Sequence, residues 1–366
     1  MTPLTDGRDP LSPRVHPSRR RWWLMLAAIG CVLLAGLGWG GRALGDGPDR
    51  WLLIYGGGHQ GWRIEYSTAQ LERLLSVRDT SGQPTGWLFT GSILIHLQAP
   101  SGHYLTTWFP RMPKATGADW AAYEDSLFAP GGLIARLDSA VSTLDATIPL
   151  NGTFAVVALV PYPDTLLRDF AFRGHGYDMT TVSGRAAADS AYIVDFTGRF
   201  QSVGYPRLRL AGFYWLYEGV VLPDTSLVPL VASVVHDEHL RFLWIPCYLC
   251  RNGQRWRSFG FDEAWLQPNY FFDTTVTLGR IDTTVARAKG ADLGVELEFD
   301  NRLFTIPAYA HRFDAYLDML QRWPAFRARS LAVYDGAGAL YTLDTLAEAH
   351  PGWARDLYER FVQALR

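Results

Sequence analysis

Apolar and polar positions change rhythm along the chain at regular intervals. Short apolar runs typical of strands recur at residues 51–55, 87–97, 154–160, 208–217, 241–245, 259–266, 294–300 and 330–334. Helical stretches lie between them, at 67–75, 118–144, 186–203, 227–239, 275–289, 309–322 and 343–365. The run 154–160 contains no polar side chain, so both of its faces must be covered, as in a parallel sheet flanked by helices. Ser67 with Gln70 three positions on is a capping box, and Pro130-Gly131-Gly132 interrupts the second helical region. Eight strands separated mostly by helices predict an α/β fold, a (β/α)8 TIM barrel spanning residues 51–366. One connection is short: residues 249–258 leave less than a helical crossover needs, so an irregular link is expected between the fifth and sixth strands. An open doubly wound sheet is the alternative, but Gly56-Gly57-Gly58 lacks the glycine spacing of its phosphate-binding turn.

The seventh strand, Gly294-Val-Glu-Leu-Glu-Phe-Asp300, carries the most telling pattern. Alternation puts Val295, Leu297 and Phe299 on one face and Glu296, Glu298 and Asp300 on the other. Like charges so close raise one another's pKa, which suits acid/base chemistry; a solvated edge strand with one polar face is the structural alternative. In a barrel, function sits at the carboxyl ends of the strands. The residues expected there are Tyr55 and His59 after the first strand, Tyr162 after the third, and Glu218 after the fourth. Asp262, Gln267, Asn269 and Tyr270 surround the sixth, and Asp335 follows the eighth. Tyr214 and Trp215 sit in the aromatic run that leads into Glu218.

Composition narrows the chemistry. Trp, Tyr and Phe number 14, 17 and 19, enough to supply flat surfaces for stacking sugar rings as well as a core. The net charge is −2 and the basic residues are dispersed, which excludes a nucleic-acid footprint. Lys114 and Lys289 are the only lysines, so the many arginines reflect a general residue preference and are not read as phosphate clamps. No cofactor motif and no metal site is expected: His236 and His239 fall late in a helix, at the amino end of the barrel. Cys247 and Cys250 lack further ligands nearby and suit a local disulfide or two free thiols.

At the amino terminus, a polar tail (1–21) ending in three arginines precedes twenty uncharged residues (22–41) and a Gly/Asp/Pro-rich linker (42–50). The apolar segment is long enough to cross a bilayer, with the tail cytoplasmic and the barrel outside, so a membrane is an expected partner. A signal peptide cleaved near Ala43-Leu-Gly45 is the competing reading, giving a secreted or periplasmic protein.

Glycoside hydrolysis needs two carboxyl groups flanking the scissile bond, one to protonate the leaving oxygen and one to attack the anomeric carbon or activate water. Glu218 and a seventh-strand glutamate would face each other across a barrel mouth. This arrangement resembles the retaining barrel glycosidases, which implies Glu218 as acid/base and Glu296 or Glu298 as nucleophile, with Glu296 preferred. The motifs Gly212-Phe-Tyr-Trp-Leu-Tyr-Glu218, Trp244-Ile-Pro246, Gly260-Phe-Asp262, Gln267-Pro-Asn-Tyr270 and Gly294 to Asp300 together resemble the bacterial domain of unknown function 4855. That resemblance implies a glycosidase-type barrel in an envelope or secreted setting. Cys247 departs from it, standing where an aromatic is expected after Ile-Pro. The function expected is cleavage of an extracytoplasmic poly- or oligosaccharide; a non-catalytic carbohydrate-binding envelope protein is the alternative.

Overall fold

In a computed structural model, which describes residues 49–59, 62–336, 338–350 and 352–366, the apolar runs pair side by side in chain order. The barrel strands are β1 (Asp49–His59), β2 (Gly91–His96), β3 (Phe154–Val160), β4 (Leu208–Trp215), β5 (Arg241–Trp244), β6 (Glu263–Leu266), β7 (Gly294–Glu298) and β8 (Ser330–Tyr334). All eight run parallel, and β8 returns to β1 with Ser330 opposite Asp49 and Val333 opposite Leu52. The sheet therefore closes, leaving no open edge in the barrel, as the continuous apolar run of β3 requires. Every residue of β3 is buried.

Side-chain parity separates the inside from the helix layer. Trp51 of β1 and Trp265 of β6 meet edge to face at 6.4 Å although their strands are not neighbours, so both point into the barrel. Gly294 faces Trp265, and a Cβ there would lie 2.3 Å from the indole Cδ1. Two and four residues further along β7, Glu296 and Glu298 therefore also point inwards. Phe299 has the opposite parity and packs on Phe313 and Phe361 of the outer helices, with centroids at 4.7 and 5.7 Å.

An ionic cluster closes the amino end of the barrel. Arg241 of β5 bonds Asp49 at 3.0 Å and pairs with Glu263 of β6, which also accepts from Trp51 Nε1 at 3.2 Å. Hydrogen-bonded and ion-paired charge in a partly dry site satisfies the groups that the cluster buries.

Several expected boundaries moved, each for a local reason. The apolar stretch 87–97 divides: Trp87 ends a short antiparallel pair between Ser76–Arg78 and Pro84–Trp87, and β2 begins at Gly91. The fifth connection is irregular as expected, built around a 3-10 helix, Gly253–Phe259, that displaces the start of β6 to Glu263. The helix expected from residue 275 starts at Gly279, because Asp273 Oδ1 binds the amide and hydroxyl of Thr275 in a turn instead. Ser67 and Gln70 form the reciprocal capping box. Among the described residues no helix is long and apolar enough to cross a membrane; the anchor expected at 22–41 lies outside them, as does the expected linker up to residue 48, while its last two residues, Asp49 and Arg50, open β1.

Candidate active site

Three carboxyl groups meet at the carboxyl end of the barrel, and two amide side chains join the outer two. Glu218 lies in the loop three residues beyond β4, further out than the expected strand end at residue 217. Its Oε1 accepts from Gln267 Nε2 at 2.7 Å, Gln267 Oε1 accepts from Asn269 Nδ2 at 2.8 Å, and the same Nδ2 reaches Glu298 Oε1 at 3.4 Å. Both amides sit just past β6, in the Gln267-Pro-Asn-Tyr270 loop. Asn269 adopts a left-handed backbone with φ +47°, and its own Oδ1 is held by the Tyr248 amide at 2.7 Å. The loop is thereby locked in the shape that carries the two amides from β4 towards β7.

The three glutamates differ in company. Glu298 accepts from Tyr316 Oη at 2.7 Å, and the backbone N–H groups of Asn269 and Tyr270 also favour its anion. Burial nevertheless raises its pKa, and the charge of Glu218 adds to the rise. Glu218 is half-buried, and loss of water pushes it up to about 7, against the single amide of Gln267 that pulls it down. Glu296 is 2% exposed, and among the described residues no hydrogen bond or ion pair reaches its carboxyl group. Burial first, then the charges of Glu298 and Glu218, hold its pKa well above the ordinary glutamate value of 4.5.

Tyrosines surround these acids. Tyr55 and Tyr214 are pushed well up, by burial first and then by charges that include Glu218 and Glu296, which places both rings at the site. Tyr334 packs on Tyr55 at 4.8 Å and also feels Glu296 and Glu298. Tyr270 meets Tyr316 edge to face at 6.0 Å.

Other expected site residues stand elsewhere. Trp215 has the opposite parity to Tyr214 and packs against Tyr162 and Phe242 in the wall. Tyr162 donates to Asp224 at 3.0 Å, within a buried ion pair that Asp224 makes with Arg185 at 2.7 Å. Asp300 caps the 3-10 helix Asn301–Phe304 and pairs with Arg302 at 2.7 Å, so it does not join the two glutamates. Asp335 Oδ2 accepts from the Leu340 amide at 3.3 Å, at the start of the helix Ala339–Ala349. Asp262 requires a correction: it precedes β6 at the amino end, where it accepts from His236 Nε2 at 2.9 Å and from the Phe242 amide at 2.7 Å. It was expected at the mouth because Gly260-Phe-Asp262 resembled the strand that those residues only introduce. His59 ends β1, and its side chain lies outside the described residues.

The sequence reading missed Tyr316 and Tyr334. Strand parity could have found Tyr334, which shares the inward face of β8 with Ser330; nothing local points to Tyr316, which reaches Glu298 from the helix Pro307–Arg322. Cys247 and Cys250 form a disulfide, with Cα atoms 5.0 Å apart. Both sulfurs and a carboxylate oxygen of Glu218 lie within 4.8 Å of one another, so the disulfide borders the acid. Joined to each other, the sulfurs are not thiolate ligands.

Three solved structures align over most of the chain at low identity. The GH18 chitinase ChiB of Flavobacterium johnsoniae shares 9% identity, covering 87% of this chain and 94% of that one, with a TM-score of 0.44. The intracellular xylanase TsXylA of Thermoanaerobacterium saccharolyticum shares 7%, covering 81% and 87%, with a TM-score of 0.42. A mutant tryptophan synthase alpha-subunit from Pyrococcus furiosus shares 10%, covering 87% and 98%, with a TM-score of 0.36. No curated protein matches the sequence. Residues 50–363 match the model of the Domain of unknown function (DUF4855), and the chain belongs to that family.

Proposed function

We propose that the protein is a glycoside hydrolase acting on a poly- or oligosaccharide outside the cytoplasm, with Glu218 as the acid/base and Glu298 as the nucleophile. The observation that carries this reading is the path of side-chain hydrogen bonds from Glu218 through Gln267 and Asn269 to Glu298, with no cation on it among the described residues. A structural carboxylate pair at such burial would call for an arginine. Amides instead orient the acids and leave their protons free to move.

The roles follow from the donors. Four donors favour the anion of Glu298 and one favours that of Glu218, which suits Glu298 to attack as a carboxylate and Glu218 to hold the proton. Protonated Glu218 gives its proton to the glycosidic oxygen as the Glu298 carboxylate attacks the anomeric carbon. Water then cleaves the glycosyl ester, with Glu218 now acting as base, and the configuration is retained. Glu296, with no donor among the described residues to favour its anion, is the poorer nucleophile, which reverses the preference drawn from the sequence alone. Tyr55 and Tyr214 provide hydroxyls and faces for the sugar bound between the acids. The apolar segment 22–41 would hold the barrel at the membrane, or direct its export.

The test is to digest a panel of bacterial and plant glycans with the full chain and follow the first-released anomer by proton NMR. Retention, lost in Glu218→Gln and Glu298→Gln but kept in Glu296→Gln, is the result expected. Glycan binding without turnover, undiminished in Glu218→Gln, would make the protein a binder instead.

A further inference from the structure

Beside the mouth, between the ends of β1 and β2, lies a cavity of about 260 Å³. The turn between the helices Gly117–Phe128 and Leu133–Asp145 closes its other side. Its wall holds His96, Gln98, Arg63 and Arg136, with Glu65 the one acidic side chain among its described residues. The glycine run after β1 lets two of these polar groups in. A Cβ on Gly56 would lie 2.2 Å from His96 Nε2, and one on Gly58 would lie 2.4 Å from Gln98 Oε1.

Three observations at this cavity point to a ligand. His96 is 9% exposed, yet its ring makes no hydrogen bond among the described residues. Burial holds it down at about 4, so it is neutral and presents one N–H and one lone pair. The helix Leu133–Asp145 starts at the cavity with Gly132 as its cap, and no side chain bonds its first-turn amides. One turn in, Arg136 makes no ion pair and its buried Nε has no partner. Glu65 is already answered by Arg63 at 2.6 Å, and its charge reaches Arg136 only without an ion pair. Free amides, a partial positive charge and an unpaired guanidinium around one space are what an oxyanion needs.

We propose that this cavity binds an oxyanion group, and that it selects a saccharide bearing acidic substituents, an extension that rests on the hydrolase reading. The carboxylate or sulfate of such a sugar lies on the first turn of the helix and pairs with Arg136, while His96 donates from the opposite wall.

Calorimetric titration of the full-length chain with sodium sulfate at constant ionic strength tests the site without any turnover. One saturable site is expected in the parent, weakened about tenfold or more by Arg136→Gln and unchanged by Arg111→Gln on the exposed surface. In the parent, the His96 ring nitrogens should shift in 15N NMR with the same midpoint. No saturable binding, equal binding in both variants, or a silent His96 would overturn the site. A glucuronate oligosaccharide should displace sulfate while a neutral glucan of equal length does not; equal behaviour of the two would overturn the acidic-sugar extension. Since sulfate binding requires no catalysis, its failure leaves the hydrolase reading standing, and an inactive but sulfate-binding protein would do the reverse.

Discussion

Glu263 and Glu298 sit on neighbouring strands, β6 and β7, and each points into the barrel, one at its amino end and one at its carboxyl end. Burial raises both pKa values. Glu263 is answered by Arg241, whose guanidinium also bonds Asp49 and lies 5.1 Å from the centre of the Trp51 ring. Glu298 is answered by a tyrosine, an asparagine and backbone amides. The chain does not lack cations for the second position. Arg312 lies close by, but its guanidinium bonds the carbonyls of Tyr270 and Val276 rather than a carboxylate. The amino end is thus built as a closed plug in which the buried acid is ion-paired. Among the described residues the carboxyl end keeps three acids close to one another without a counter-charge, which costs stability and raises all three pKa values.

The largest effects that would separate the two ends are catalytic. Glu218→Gln and Glu298→Gln should each lower turnover on a cleaved glycan by about 10³-fold or more while leaving the circular dichroism spectrum unchanged. Removing a cation at the plug should do the opposite: Arg241→Leu leaves Glu263 and Asp49 unpaired and should cost about 3 kcal/mol in urea denaturation, with little change in turnover per folded molecule.

Glu296→Gln sharpens the contrast through pH. Below the ordinary glutamate value of 4.5 the folded and unfolded chains both hold the Glu296 proton. Above it the unfolded chain releases the proton and the folded chain keeps it. Parental stability then falls by about 1.4 kcal/mol per pH unit from this group until the raised folded value is passed. Glu296→Gln removes that loss, so its advantage in thermal unfolding should grow as pH rises above 4.5, whereas Glu263→Gln should gain less, because Arg241 and the bonds from Trp51 and Ser330 hold down the rise in the Glu263 pKa.

The smallest effect concerns Tyr316→Phe. Losing this donor destabilises the Glu298 anion, so the acidic limb of the kcat/KM profile should move up by about one pH unit, with about a tenfold loss of rate. The limb set by Glu218, whose carboxyl is bonded by Gln267 and not by Tyr316, should stay in place.

Much of this architecture was legible in the sequence because burial on both faces leaves long apolar runs. The eight strands, their order and the irregular fifth connection could all be read from such runs and their spacing. Parity alone put Glu296 and Glu298 on one face. What local pattern could not supply was contact between distant segments. Tyr316 reaches Glu298 from a helix, and Arg302 withdraws Asp300 from its two neighbours on the strand. Asp262 was misplaced because an apolar stretch was taken for strand where a 3-10 helix and a turn precede β6. Trp215 and Tyr162 carry the right residue types for stacking on sugars but serve the wall and a buried ion pair.

In the proposed reaction Glu218 and Glu298 together cleave a glycosidic bond. Release of reducing ends from a glycan panel by the full chain, repeated with Glu218→Gln, Glu298→Gln and Glu296→Gln, tests it most directly. The account predicts turnover of at least one glycan, abolished by the first two substitutions and kept within about tenfold by the third. Turnover that survives both Glu218→Gln and Glu298→Gln, or no turnover of any glycan by the correctly folded parent, would contradict it.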